Sequence, residues 1–367
     1  MAVRRPEREV FCVRRGLQGG SMQYNRLGDT GLIVSRLALG AMTFGSAKGT
    51  PFEAISRVDQ KLANELVARA LDAGINHFNT ADVYTGGQSE EFLAKALGSR
   101  RKDVVISTKV GFRGGPALID QGLSRHHILA SVEGSLRRLA SDYIDVYLVH
   151  RLDPHTPVEE TAEALDSLVK SGKVRYIGFS NWPAWLAAKT VGIQRENRWA
   201  RFKSAELYYS LVGRDLEHEL VPFVQDAGIG VLVWSPLAGG FLSGKYTREN
   251  PKGDGGRLTA FDMLPYDKEK GYELVDRLRA IGAAYNATPA QVAIAWVLSK
   301  SFVSSVLVGA NKLAQLEDNL GAAAVRLSKD DVASLDEFTA PAPIYPNFFS
   351  ARVIDEPVQK ALARNAF

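Results

Sequence analysis

The chain is poor in cysteine, with a single one, Cys12, among its 367 residues. One cysteine cannot form an intrachain disulfide, and it cannot supply a metal site made of several thiolates. Long apolar runs are also missing, since no segment approaches the roughly 20 residues that a membrane-spanning helix needs. These absences argue against a disulfide-stapled domain and against a helix that crosses a membrane.

A large excess of one charge is also missing. The formal net charge is +4, and residues 1–21 alone carry five arginines against Glu7 and Glu9. The rest of the chain is therefore nearly neutral and has no sustained basic stripe, which argues against nucleic acid as a partner. The arginine-rich segment precedes no apolar stretch of the kind found in secretory signals. We interpret residues 1–21 as a disordered leader, place the start of the fold at Met22 and expect a cytoplasmic protein.

From Met22 onward, apolar strand candidates alternate with amphipathic helix candidates. The chain opens with a predicted β-hairpin, whose turn signal is Asp29-Thr30-Gly31, and its second arm leads into the first strand of a larger sheet. The later strand candidates are 75–79, 104–110, 143–150, 174–181, 203–210, 230–236 and 304–310. The helix candidates are 59–73, 124–140, 157–171, 182–191, 216–227, 267–285, 289–300 and 312–322.

The order of these elements selects between two α/β folds. The strands are mostly continuous apolar runs, as is typical of buried parallel strands. About eight strand–helix units over about 300 residues favour a (β/α)8 barrel over a doubly wound sheet. In addition, no strand is followed by the G-x-G-x-x-G fingerprint that opens a dinucleotide-binding doubly wound domain.

In a (β/α)8 barrel the working residues lie at the carboxyl ends of the strands. In chain order those ends carry Asn79 and Tyr84, Lys109, His150, Ser180-Asn181, Glu206, Trp234, and Gly309 to Lys312. Each has an ordinary alternative explanation, such as a solvated lysine or a hydrogen-bonded histidine at the rim. A phenol has an ordinary pKa near 10, and a nearby ammonium lowers that pKa and makes the phenol a usable acid. A tyrosine–lysine–histidine cluster therefore suits protonation of a carbonyl oxygen while a cofactor delivers hydride to carbon.

With these residues in place, the chain resembles the aldo-keto reductase family from Met22 to about Pro341. The motifs that carry the resemblance follow one another at barrel spacing: LGDTGLIVSRLALGAMTFG, NTADVYTGGQSE, STKVG, YIDVYLVHRLDP, GKVRYIGFSNW, YYSLVGRDLEHELVPF, VLVWSPLAGGFLSGKY and VGANKLAQLEDNLGAA. The resemblance implies a TIM barrel over residues 22–341, with an N-terminal β-hairpin and a tail, residues 342–367, near the substrate site. It also implies an oxidoreductase that uses NADPH (NADP+) to interconvert an aldehyde or ketone and an alcohol.

The resemblance assigns the family's catalytic tyrosine, lysine and histidine to Tyr84, Lys109 and His150. The fourth family residue is an aspartate five positions before the tyrosine, and this chain has Asn79 there. Asp82 is not an obvious replacement for it. Without a nearby anion the pKa of Lys109 should fall, whereas the amide oxygen of Asn79 can still accept a hydrogen bond from Lys109. We therefore expect Asn79 to tune the pH response of the site and not to remove its acid.

The resemblance also implies the cofactor contacts. It assigns the nicotinamide amide to Ser180, Asn181 and Glu206, the last of which replaces a glutamine; an ionised carboxylate cannot donate a hydrogen bond. Trp234 is assigned to stacking on the nicotinamide, with a buried core indole as the alternative. A lysine at a helix start, Lys312, favours NADP(H) over NAD(H). The remaining implied cofactor positions are Gly40, Ala41, Met42, Ser235, Leu237, Gly239, Gly309, Asn311, Gln315, Asp318 and Asn319.

For the substrate we predict a lining that includes Phe44, Tyr84, Phe112 and His150. Further aromatic and apolar residues that we consider for this lining are Met42, Trp182, Tyr345, Phe348 and Phe349. Such a lining suggests an apolar or ring-shaped carbonyl or alcohol. Core packing explains several of these aromatics equally well.

Three other functions are weighed against this one. Gly239, Gly244 and Lys245 match most of a phosphate-loop pattern, but Tyr246 stands where the pattern requires serine or threonine to bind magnesium. The histidines show no consistent ligand spacing with carboxylates, so we predict no metal site. The stronger alternative is a nicotinamide-binding regulatory subunit with little turnover, a role that barrels of this family also serve.

Overall fold

The structure is a computed structural model that describes residues 22–46, 53, 55–253, 258, 262–350, 352–353 and 355–363. The predicted leader, residues 1–21, lies outside the described residues together with Cys12. Within the described ranges, no helix is long and apolar enough to cross a membrane.

A two-stranded antiparallel sheet precedes a closed parallel barrel of eight strands. The sheet pairs β1 (Tyr24–Arg26) with β2 (Ile33–Ser35). The barrel strands are β3 (Leu37–Gly40), β4 (His77–Asn79), β5 (Val105–Val110), β6 (Ile144–Val149), β7 (Val174–Ser180), β8 (Phe202–Tyr208), β9 (Gly230–Trp234) and β10 (Val303–Gly309). The barrel closes where β10 pairs with β3, and the other strands follow in chain order. The predicted (β/α)8 barrel with an N-terminal hairpin is confirmed.

The helices lie between the strands and after the last one. Their bounds are α1 (Gln60–Asp72), α2 (Gln88–Leu97), α3 (Arg125–Arg138), α4 (Val158–Lys170), α5 (Ala184–Glu196), α6 (Leu220–Ala227), α7 (Lys268–Tyr285), α8 (Pro289–Leu298), α9 (Leu313–Gly321), α10 (Lys329–Phe338), α11 (Asn347–Ser350) and α12 (Glu356–Ala363). Several begin at side-chain caps that the sequence signals. The Asp59 carboxylate accepts from the amide of Leu62, and the Ser124 hydroxyl accepts from the amide of His127.

Helix α2 and the helices after α9 are not among the helices predicted from the sequence. The segment of α2, QSEEFLAKAL, places Leu93 and Leu97 four residues apart on its buried face. The glycine pair Gly86-Gly87 lies directly before α2, and both glycines have a positive φ. Pro157 caps α4 instead of opening it, and α6 begins only at Leu220 after a short 3-10 turn.

The amino-terminal end of the barrel is closed by the hairpin. Leu27 and Val34 of the hairpin are fully buried against Val105, Val146 and other barrel side chains. The amide of Asp29 donates to the carbonyl of Gly228, just before β9, which fixes the hairpin on that end. The polar residues of the candidate site lie at the opposite end of the barrel, where the strands finish.

The C-terminal tail keeps its aromatic residues exposed. Tyr345, Phe348 and Phe349 are exposed, and the side chain of Asn347 donates to the carbonyl of His218. His218 follows β8 on the carboxyl side of the barrel, so the tail runs across that side. A contact of the tail with substrate stays a prediction.

Candidate active site

Lys109 is the centre of the site. It lies on β5, its side chain points into the barrel, and it is completely buried. Its ammonium donates to Asn79 Oδ1 at 2.8 Å, to the carbonyl of Thr80 at 2.9 Å and to the hydroxyl of Tyr84 at 3.3 Å. It also lies 3.1 Å from Glu206 Oε1. The predicted acceptance of a hydrogen bond by the Asn79 amide oxygen is confirmed.

Glu206 supplies the anion that Asn79 lacks. Its side chain comes from β8 and is 3% exposed, and its Oε2 accepts from Asn79 Nδ2 at 2.7 Å. The expectation that the pKa of Lys109 falls is therefore wrong. Burial does act to lower that pKa, but the charges and hydrogen bonds of Glu206 and Tyr84 outweigh it, and the pKa of Lys109 is raised. The lysine is an ammonium at neutral pH.

Tyr84 is held over Lys109 by a tight turn. The amide of Tyr84 donates to the carbonyl of Ala81 at 3.2 Å, and the Lys109 ammonium lies 4.9 Å from the centre of the tyrosine ring. Gly87 has a φ of 95°, and a Cβ built there would lie 2.7 Å from Cδ of Arg138. The backbone conformation of the turn after Tyr84 therefore favours glycine at this position, and a larger residue would also have to displace the Arg138 side chain.

His150 follows β6 and completes the cluster with the predicted tyrosine and lysine. Its ring lies 5.6 Å from that of Tyr84 and 4.7 Å from that of Phe112, edge-on in both cases. Burial, and then the charges of Lys109 and Arg151, lower the pKa of His150 well below its ordinary value. His150 is therefore a neutral imidazole at neutral pH, which can donate one hydrogen bond to an oxygen in the site.

The residues predicted to hold the nicotinamide form a hydrogen-bonded set beside this cluster. Asn181 Nδ2 donates to the carbonyl of His150 at 3.0 Å, and Asn181 Oδ1 accepts from Trp234 Nε1 at 3.1 Å. Ser180 Oγ donates to the carbonyl of Glu206 at 2.7 Å. Trp234 is half-buried and lies against Tyr208, with ring centres 5.1 Å apart, so it is not a core indole.

The segment after β9 has an unusual backbone. Ser235 has a φ of 54° and Gly239 one of 69°, and the amide of Gly239 donates to the Ser235 hydroxyl at 2.9 Å. A non-glycine residue in the left-handed region is strained, and such strain concentrates at functional sites. Leu237, in the same segment, is half-buried against the core. Tyr246 is buried in the core, so the residue that a phosphate loop would use for magnesium faces away from solvent.

The segment from Gly309 into α9 combines an open strand end with an exposed lysine at the start of a helix. Gly309 is exposed and a Cβ built there would meet nothing within 4 Å, so the strand end is open. The buried Oδ1 of Asn311 has no hydrogen-bond partner among the described residues. Lys312 is exposed at the cap position of α9, and the Gln315 side chain accepts from the amide of Asn311 at 3.0 Å.

Other predicted cofactor positions are occupied by contacts within the protein. Asp318 Oδ1 accepts from Thr288 Oγ1 and Gln291 Nε2, both at 3.0 Å, and Asn319 Nδ2 donates to the carbonyl of Gly309 at 3.3 Å. Their contact with adenine stays a prediction. Gly40, the last residue of β3, pairs with Asn79 on β4. Of the two residues that follow β3, Ala41 is buried and Met42 is half-buried.

Two predicted substrate residues belong to the core instead. Phe44 is completely buried, and Trp182 is 3% exposed and packs against Phe179 and Phe202. Both side chains are buried in the core, and a contact of either with substrate stays a prediction. Phe112, by contrast, is 38% exposed next to His150.

A second cluster lies directly behind Tyr84 and was not found in the sequence. The carboxylate of Glu90 accepts from Thr108 Oγ1 at 2.6 Å and pairs with Arg138 at 2.7 Å. Burial, and then the charge of Glu90, raise the pKa of Asp82 to about 7. The sequence signal for this cluster is weak, because its members lie on α2, β5, α3 and the segment after β4. Among the described residues, no group of three or more His, Cys, Asp or Glu could hold a metal ion.

The fold and the site together define a (β/α)8-barrel protein with a tyrosine, a buried lysine and a neutral histidine at the carboxyl ends of its strands. The chain belongs to the aldo/keto reductase family, a family of oxidoreductases, whose model matches residues 36–340. The resemblance inferred from the motifs is thereby confirmed.

Individual relatives carry different names. A probable voltage-gated potassium channel subunit beta of Oryza sativa subsp. japonica is 38% identical over 313 residues, which are 82% of this chain and 91% of that protein. The versiconal hemiacetal acetate reductase of Aspergillus parasiticus is 35% identical over 350 residues, which are 89% of this chain and 99% of that protein. A putative aryl-alcohol dehydrogenase of Schizosaccharomyces pombe is 35% identical over 348 residues, 88% of this chain and 97% of that protein.

Proposed function

We propose that the protein is an NADP(H)-dependent carbonyl reductase in which Tyr84 is the general acid and, in the reverse direction, the general base. The observation that carries the proposal is the 3.3 Å contact between the buried ammonium of Lys109 and the hydroxyl of Tyr84. When Tyr84 gives its proton to a carbonyl oxygen, a phenolate forms, and the adjacent ammonium stabilises that charge in a site shielded from water. A bound nicotinamide cofactor would supply the hydride.

The neutral His150 has a different part in this proposal. An imidazolium close to Lys109 would add a second positive charge, whereas a neutral ring donates one hydrogen bond and orients the substrate oxygen. Ser180, Asn181 and Trp234 would hold the nicotinamide. Asn311 and Lys312 would hold the phosphate that distinguishes NADP(H) from NAD(H), because cations at a helix start attract anions.

Steady-state oxidation of NADPH over a panel of aromatic aldehydes, cyclic ketones and sugars tests this proposal, with NADH in parallel. We expect turnover of at least one carbonyl class with NADPH preferred. The Tyr84→Phe protein, which keeps the ring and loses only the acid, should lose about 10²–10⁴-fold in kcat while still binding NADPH. Equal turnover of the Tyr84→Phe protein would contradict the role of Tyr84.

The second candidate is a nicotinamide-binding regulatory subunit, which the name of the Oryza sativa relative favours. The two candidates share the cofactor site and differ in turnover. Tight NADPH binding, measured by quenching of tryptophan fluorescence, without oxidation of NADPH by any carbonyl would favour this candidate. The intact set of Tyr84, Lys109 and His150 favours the enzyme.

A further inference from the structure

We propose that Glu206 is the counter-ion that positions Lys109. In this pair the amide and the carboxylate have exchanged places relative to the family pattern, so that the amide of Asn79 lies on β4 and the carboxylate of Glu206 lies on β8. The role of this pair in catalysis rests on the proposed function. The pairing itself is a property of the protein without substrate or cofactor. Glu206 is a positioning residue here, because it acts on the reaction through Lys109.

The hydrogen bonds of the pair are complementary. The Asn79 amide oxygen accepts from Lys109 at 2.8 Å, and its nitrogen donates to Glu206 Oε2 at 2.7 Å. The other Glu206 oxygen lies 3.1 Å from the Lys109 ammonium. The three groups therefore close a triangle in which every contact joins a donor to an acceptor. Each Glu206 oxygen makes one of these contacts, so both oxygens of the carboxylate are engaged within the pair.

This complementarity couples the two positions. Two carboxylates at positions 79 and 206 would repel each other within a hydrogen-bond distance, and one of them would have to take up a proton. Two amides would leave a completely buried ammonium without an anion. The hydrogen bonds and the charge of Lys109 are both satisfied only by one acid and one amide. Either of the two positions, 79 or 206, can carry the acid.

Among the residues that the structure describes, Glu206 is the anion at contact distance from Lys109. The titratable groups that face Lys109 come from β4, the segment after β4, the end of β6, and β8: His77, Asp82, Tyr84, His150 and Glu206. Burial lowers the pKa of both histidines, so they are neutral, and Asp82 titrates near 7 without a direct contact to the ammonium. Removal of Glu206 therefore leaves burial as the dominant influence on Lys109.

The test measures thermal unfolding between pH 7 and 10 for four proteins: wild type, Asn79→Asp, Glu206→Gln and the double exchange Asn79→Asp/Glu206→Gln. At pH 7 the Glu206→Gln protein should melt about 5–10 °C below wild type, because its buried ammonium is unpaired. Without the anion the lysine loses its proton in the folded state before it does so in the unfolded state. Its unfolded state then binds more protons, so its stability relative to wild type should rise with pH.

The double exchange is the decisive variant. It returns a carboxylate to Lys109 from the other strand, so its melting temperature and its pH dependence should both return toward those of wild type. If Glu206→Gln does not fold at neutral pH, the double exchange still answers the question, since a folded double exchange supports the pairing and an unfolded one overturns it. Equal destabilisation of the single and double variants at every pH would also overturn it.

Asp145→Asn is the matched control. Asp145 lies near the start of β6, away from Tyr84, and its buried carboxylate pairs with Arg101 at 2.8 Å. Its removal should lower the melting temperature by the same amount at pH 7 and pH 10, because an arginine does not titrate in that range. If the loss of melting temperature in Asp145→Asn depended on pH as it does in Glu206→Gln, the pH dependence of stability would not report the protonation of Lys109.

Turnover gives the second readout and separates this proposal from the proposed function. Removing a negative charge makes the first loss of a proton from the Tyr84–Lys109 pair easier, whichever member loses it. The alkaline limb of kcat for carbonyl reduction should therefore move to lower pH in Glu206→Gln, stay in place in Asp145→Asn and return in the double exchange. If wild type turns over no carbonyl, the proposed function fails, and the unfolding series still decides the pairing.

Discussion

Two buried ion pairs lie on opposite sides of the same strand, β5, and they differ in what they touch. Lys109 pairs with Glu206 inside the barrel, where the exposed fractions of the two side chains are 0% and 4%. Glu90 pairs with Arg138 outside the barrel, between α2 and α3, where the glutamate is fully buried and the arginine is 27% exposed. Consecutive residues of β5 serve the two pairs, since Lys109 points inward and Thr108 points outward to Glu90.

The inner pair contacts the hydroxyl that reacts, and the outer pair contacts the turn that carries it. Lys109 reaches the oxygen of Tyr84, whereas Arg138 packs against Gly87, three residues after Tyr84. A charge within hydrogen-bond distance of the phenol changes its proton chemistry. A charge behind the turn holds the turn in place and affects the phenol only through position. We therefore expect the inner pair to control rate and pH dependence, and the outer pair to contribute modestly to stability with little effect on rate.

The largest effect should come from Lys109→Met, which removes the inner cation and keeps a side chain of similar length. We expect a loss of about 10²–10⁴-fold in kcat for carbonyl reduction, because the phenolate loses its counter-charge. The buried Glu206 is left unpaired, so the free energy of unfolding should fall by about 3–5 kcal/mol. Steady-state kinetics and urea unfolding measure the two effects. A kcat within threefold of wild type would break the assignment of the inner pair to chemistry.

The next effect concerns Asp82, which lies between the two pairs. Its folded pKa of about 7 exceeds its ordinary value, so the folded protein holds an extra proton between about pH 4 and 7. The stabilising proton is lost as pH rises through 7, and wild type should therefore lose stability over that window. In Asp82→Asn the free energy of unfolding should not carry this loss between pH 4 and 7. Above pH 7 the variant should be more stable than wild type by roughly 2–4 kcal/mol, since one pKa unit corresponds to about 1.4 kcal/mol.

Urea unfolding at pH 5 and pH 8 measures the Asp82 effect. The control is Asp103→Asn, which removes an exposed aspartate that is paired with Arg100 and should change stability by less than about 1 kcal/mol at either pH. A steeper loss of stability in Asp82→Asn than in wild type between these two pH values would contradict the raised pKa.

The smallest effect should come from Glu90→Gln in the outer pair. The change removes a charge-assisted hydrogen bond to Arg138, but the partly exposed arginine can turn to water, and repulsion with Asp82 is relieved. We expect a loss of about 1–2 kcal/mol in unfolding free energy and a kcat within threefold of wild type. A shift of the alkaline limb of kcat as large as that of Glu206→Gln would erase the distinction between the two pairs.

The sequence predicted the inner site better than the outer one for a physical reason. Tyr84, Lys109 and His150 each end or follow a strand, and barrel geometry brings strand ends together. Glu90 and Arg138 lie on helices whose mutual packing has no signal in spacing along the chain, and the helix carrying Glu90 was itself missed.

In the sequence, Asn79 and Glu206 stand as two independent departures from the family pattern. They are 127 residues apart in the chain, and only closure of the barrel places Asn79 Nδ2 2.7 Å from Glu206 Oε2. The error in the expected pKa of Lys109 followed from this separation, because the compensating carboxylate lay on a strand assigned to the cofactor. The burial of Phe44 and Trp182 could not be read from the sequence either, since an aromatic near a strand end packs inward as readily as outward.

The central claim is that Lys109 acts on the reaction through Tyr84, as one unit with it. A double-mutant cycle in kcat tests this claim most directly, with Tyr84→Phe, Lys109→Met and the double variant measured on one carbonyl substrate with NADPH. Groups that act as a unit are strongly non-additive, so the double variant should lose no more than about threefold beyond the worse single variant. Losses that multiply would show that Lys109 and Tyr84 act independently, and would contradict the account.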